Sequence, residues 1–86
     1  MVYFILSRHG YDQLAASGGL PTSPLWVSGG VLSVDELSAL RSLGFNITDF
    51  DSQIDPSDPE EIDEAVETIR LHHPGQVVWV EYSHAA

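Results

Sequence analysis

The chain has 86 residues, with 13 acidic side chains, three arginines, no lysine and a net charge of −10. That balance argues against nonspecific binding to DNA, RNA or anionic lipid, because phosphate contacts need cations. There is no cysteine, so disulfides and thiolate sites are excluded. The length supports one domain over residues 1–86, burying only about 60–65% of its unfolded surface.

Val2–Leu6 is a continuous apolar run rich in β-formers and reads as a buried first strand. No basic residue precedes it and no small-residue cleavage site follows, so it reads as a strand rather than a signal peptide. Gly10 is expected to end it. YDQLAAS, residues 11–17, then predicts a short helix stopped by Gly18-Gly19. Pro21 and Pro24 bracket a loop, and Leu25–Ser28 reads as a second strand closed by Gly29-Gly30.

Ser33 stands three residues before Glu36, the spacing of a capping box, with Asp35 adding charge that the helix dipole favours. The helix is expected over about 34–43. Leu37 and Leu40 lie on its inner face, with Val34 and Leu43 beside them. Gly44 closes it. Phe45–Phe50 alternates apolar and polar residues and predicts a third strand.

Asp58-Pro59-Glu60-Glu61 opens the second main helix, with Asp58 as N-cap and Pro59 at the first helical position. It runs over about 59–73. Ile62, Ala65, Val66 and Ile69 follow the i, i+3, i+4, i+7 stripe. Pro74-Gly75 stops it, and QVVWVEY is the last strand. Trp26 and Trp79 fall within strands and are expected in the core.

Strands alternating with helices predict a single small α/β domain with four mostly parallel strands, two main helices and a short helix near 11–17. In such sheets ligands bind beyond the carboxyl ends of the strands.

Two residue groups at those ends invite chemistry. Arg8-His9-Gly10 resembles the tripeptide that carries the nucleophilic histidine of histidine phosphatases, and VVWVEYSHAA is similar to the late strand that ends in that family's second histidine. The resemblance implies His9 as nucleophile, Arg8 as phosphate ligand and His84 as second pocket histidine. It covers three contiguous residues and one more. The family's domain is considerably longer, and Arg41 and Arg70 fall on helices. The expectation kept from it is an alternative: an anion-binding or phosphoester-processing site built on Arg8, His9 and His84.

The loop DFDSQIDPSDPE places oxygen ligands at the spacing of a calcium loop counted from Asp49. Ile54, however, stands where the sharp turn needs glycine. Ser28-Gly29-Gly30 lacks the spacing and the lysine of a phosphate loop and reads as a turn. Adjacent His72 and His73 point about 100° apart on a helix and make a poor metal pair; they suit the last carbonyls as caps. No metal or cofactor is expected.

Nine of the 13 acids lie between Asp49 and Glu67. Asp58, Glu60, Glu61, Asp63, Glu64 and Glu67 line the outer face of the second main helix, with only Arg70 to offset them. The leading expectation is a non-enzymatic protein-interaction module. An inhibitor, an immunity or antitoxin-type protein, or a phage-borne charge mimic would cover a basic partner surface in this way. The first strand and Leu25–Ser28 are short and apolar, and the two open edges of a four-stranded sheet add the expectation of a homodimer. A cytoplasmic location is expected.

Overall fold

The computed structural model describes residues 1–20 and 22–81. The elements run β1 (Val2–Ile5), α1 (Arg8–Ala16), β2 (Leu25–Val27), α2 (Val34–Ser42), β3 (Ile47–Asp49), α3 (Pro59–His72) and β4 (Val78–Val80). All four strands are parallel, in the order β3-β2-β1-β4.

That order dictates the layers. From β1 to β2 to β3 the chain steps one way across the sheet. It then returns past β1 to β4. Right-handed crossovers therefore put α1 and α2 on one face and α3 on the other. The core follows suit. Ile5, Leu25, Val27 and Ile47 meet Tyr11 and Leu37 on one side, and Val2, Phe4 and Trp26 meet Ile62, Ala65 and Ile69 on the other.

The capping box at α2 is formed, with Ser33 Oγ accepting from the Glu36 N–H and the Glu36 carboxylate accepting from the Ser33 N–H. Asp58 caps α3 as expected, accepting from the N–H groups of Glu60 and Glu61 at 3.0 and 3.4 Å. Ile54, the residue that breaks the calcium-loop spacing, is a core side chain.

Four local expectations need correction. Gly10 does not end β1; it sits inside α1, which starts three residues earlier than residue 11 because Ser7 caps it, its hydroxyl accepting from the Gly10 N–H. Trp79 is not core: it lies on the edge strand β4, on the face opposite α3, and is 46% exposed. Val34 and Leu43 are 82% and 75% exposed, so the buried stripe of α2 is narrower than its leucine content implies. His72 and His73 do more than end a helix. Their rings lie 5.4 and 6.0 Å from the indole of Trp26.

Candidate functional site

The α3 face and the carboxyl rim of the strands are built from different physics. On α3, the buried stripe turns Glu60, Glu61, Asp63, Glu64 and Glu67 outward, all exposed, while Asp58 is half-buried in its capping role. Arg70, on the same helix, reaches Glu67 at 3.8 Å. The other two arginines are committed elsewhere. Arg8 contacts Glu36 at 2.8 Å and Asp12 at 3.2 Å. Arg41 donates twice to the Ile47 carbonyl and contacts Asp49 at 3.4 Å. With no lysine in the chain, the carboxylates of α3 keep most of their field.

A groove runs beside this face. Because α3 lies over β1 and β4, it leaves the β3 flank of the sheet uncovered. Two adjoining cavities of about 210 and 440 Å³, sharing Phe50 and Thr68, open there. Asp49 and Asp51 line it from β3 and the segment after it, and Glu61 and Glu64 line it from α3. Trp26 and Phe50 form an aromatic floor with ring centroids 5.3 Å apart. Sequence reasoning placed Asp49 and Asp51 on the strand rim and Trp26 in the core. It had no signal for their meeting across a groove, since the meeting depends on where α3 crosses the sheet.

The strand rim brings Arg8 and His9 onto the first turn of α1, where both are exposed. Arg8 lies over the Tyr11 ring at 5.3 Å and between two carboxylates. The Glu36 hydrogen bond raises its pKa above the ordinary arginine value, and the same contact holds the Glu36 carboxyl down at about 2. His84 lies outside the described residues.

A residue that sequence reasoning missed occupies the anion-favouring position at the start of α1. Glu81, just beyond β4, accepts from the N–H groups of Leu6 and Ser7 at 2.8 and 3.0 Å and from the Ser7 hydroxyl at 2.7 Å. Ser7 is the N-cap of α1, so the chain's own carboxylate sits at the end of the helix where an anion is favoured. A neighbouring cavity of about 310 Å³ lies between Ser7-Arg8 and Gly29-Gly30. The Ser28-Gly29-Gly30 segment is a turn, and Ser28 is fully buried, with its hydroxyl accepting from the Ile54 N–H at 2.7 Å.

Among the described residues, no group of three or more His, Asp or Glu side chains is arranged to hold a metal ion, and no helix is long and apolar enough to cross a membrane. Comparison with protein-family models, curated proteins and solved structures gives no match. Fold and surface together define a small α/β domain, helices on both faces of a parallel sheet, with one strongly acidic helix.

Proposed function

We propose that this protein is a non-enzymatic interaction module that presents the acidic face of α3 to a basic surface on a protein partner, as an inhibitor, an immunity or antitoxin-type protein, or a charge mimic would. The observation that carries this reading is the uncancelled charge of the helix. Five exposed carboxylates share α3 with one arginine, and that arginine already contacts Glu67. A concentrated field of one sign steers encounter with an oppositely charged surface and rejects like-charged ones.

The test is charge reversal at Glu60, Asp63, Glu64 and Glu67 to lysine, leaving Asp58 in place because it caps the helix. All four positions are exposed, so the fold should survive and far-ultraviolet circular dichroism should be unchanged. The native form should retain a basic protein from host lysate. The purified pair should associate more slowly as salt rises, and the reversed form should lose both properties. Equal retention of the same partner by both forms would mean that α3 is only a solvated face.

A further inference from the structure

We propose that the groove between α3 and β3 receives an arginine side chain from an extended basic segment of the partner, with its guanidinium over Phe50, beside Trp26, and between Asp51 and Glu64. The inference rests on the reading that the partner is basic, and adds where it docks and by which residue type.

Three observations carry it. The first is charge: the groove walls bring carboxylates from two elements, Asp49 and Asp51 on one side and Glu61 and Glu64 on the other. Arg41 takes Asp49, and His72 and His73 line the groove beside it, but among the described residues no arginine pairs with Asp51, Glu61 or Glu64. The second is the floor. A planar guanidinium stacks on aromatic faces while its fork of donors meets carboxylates, a combination that an ammonium does not offer. Half-buried Phe50 supplies the face, with Trp26 packed beneath it among Phe50, His72 and His73, and the acidic walls supply the acceptors.

The third is an unmet hydrogen bond. Trp26 lines the groove at 6% exposure, and its indole N–H is buried with no acceptor among the described residues. Buried donors of this kind are uncommon and costly. A peptide guest brings backbone carbonyls that can serve one, which a simple cation does not.

The protein has two tryptophans, so a Trp79→Phe background leaves Trp26 as the sole fluorophore. Capped hexa-arginine and hexa-lysine peptides serve as probes. Hexa-arginine should produce a saturable change in Trp26 emission, with at least threefold weaker binding for hexa-lysine. The pair Asp51→Asn and Glu64→Gln should weaken hexa-arginine binding more than tenfold. The equally charged control Asp12→Asn and Asp35→Asn, on the opposite face of the sheet, should change it less than threefold.

Equal losses in the two pairs would show that binding follows net charge alone and would overturn the groove. So would equal affinity for both peptides, or no binding measurable by calorimetry. Binding that leaves Trp26 silent and is lost with Glu60→Gln and Glu67→Gln would overturn the groove while leaving the basic-partner reading intact. Failure of that reading shows separately, in equal partner retention by the native and charge-reversed forms.

Discussion

The carboxylate of Glu81 fills the space beside Gly10 that a side chain there would need: a Cβ built on Gly10 overlaps the Glu81 carboxyl group. Glycine in the first turns of a helix is a poor choice by propensity. It is tolerated here because the carboxylate of Glu81, some 70 positions along the chain, must come close to the start of α1 to accept three hydrogen bonds from Leu6 and Ser7.

The sign of Gly10→Ala should therefore depend on residue 81. In the native background, alanine displaces the carboxylate from its donors, and the expected loss is about 1–2 kcal/mol even after the helix-propensity gain of about 1 kcal/mol. With Glu81→Ala already present, the same change should stabilise by up to about 1 kcal/mol. Urea denaturation of the four proteins in this cycle measures the reversal. Destabilisation of equal size in both backgrounds would mean that the two residues do not meet.

A second strained approach lies at the end of β2. A Cβ on Gly29 would stand 2.6 Å from the Ser52 carbonyl and 2.8 Å from the Phe50 oxygen, both backbone atoms. Gly29→Ala should cost about 2–3 kcal/mol, as overpacked sites do. Gly30→Ala, at φ +85° with open space around it, should cost only about 1 kcal/mol, the penalty of a left-handed backbone with a side chain. Thermal melts that rank the two the other way would contradict the packing. Ser28→Ala at the same turn strips the buried Ile54 N–H of its acceptor, for about 1–3 kcal/mol, and hydrogen exchange at the Ile54 amide should quicken.

Acid should act through Glu36. Its carboxylate accepts from Arg8 at 2.8 Å and from the Ser33 N–H at 3.0 Å. With the Arg8 hydrogen bond as the larger cause, its pKa falls from 4.5 to about 2. A depressed carboxyl pKa means that the native state binds fewer protons than the unfolded chain between those two values. The contribution is thus fully present above pH 4.5 and is lost as pH falls toward about 2. Glu36→Gln should flatten the stability profile across that window. A carboxyl titration midpoint near 4.5 by nuclear magnetic resonance would show the ion pair absent in solution.

β1 and β2, the apolar strands expected to pair between copies, lie inside the sheet, so self-association should take place at β4. Arg41 covers the outer edge of β3 by donating to the Ile47 carbonyl, a charged block of the kind that protects sheet edges. The outer edge of β4 carries no such block among the described residues, and Trp79 stands exposed on it. Two copies at −10 each repel, so a homodimer should tighten as salt rises, whereas binding to a basic partner should weaken. Light scattering across micromolar concentrations and two salt levels separates the two, and Trp79→Lys should abolish the dimer. A monomer under all of these conditions removes the dimer.

Local chemistry was enough to read the elements. The capping box at Ser33, the Asp58-Pro59 start of α3 and its apolar stripe depend on residues three or four apart, so they are legible without knowing the fold. The alternation of strands and helices carried the parallel sheet for the same reason, since each βαβ step is a short-range event. Strand order and the contacts that follow from it are not of this kind. That β4 returns past β1 decides that Glu81 lands on the start of α1, which turns Gly10 from an apparent strand breaker into a helical residue. That α3 crosses over β1 and β4 leaves Trp26, Phe50, Asp51 and Glu64 facing one groove, and leaves Trp79 on an open edge. Such pairs are set by the path of the whole chain, because burial at these positions depends on which element lies across the sheet and not on the periodicity of the segment that holds them.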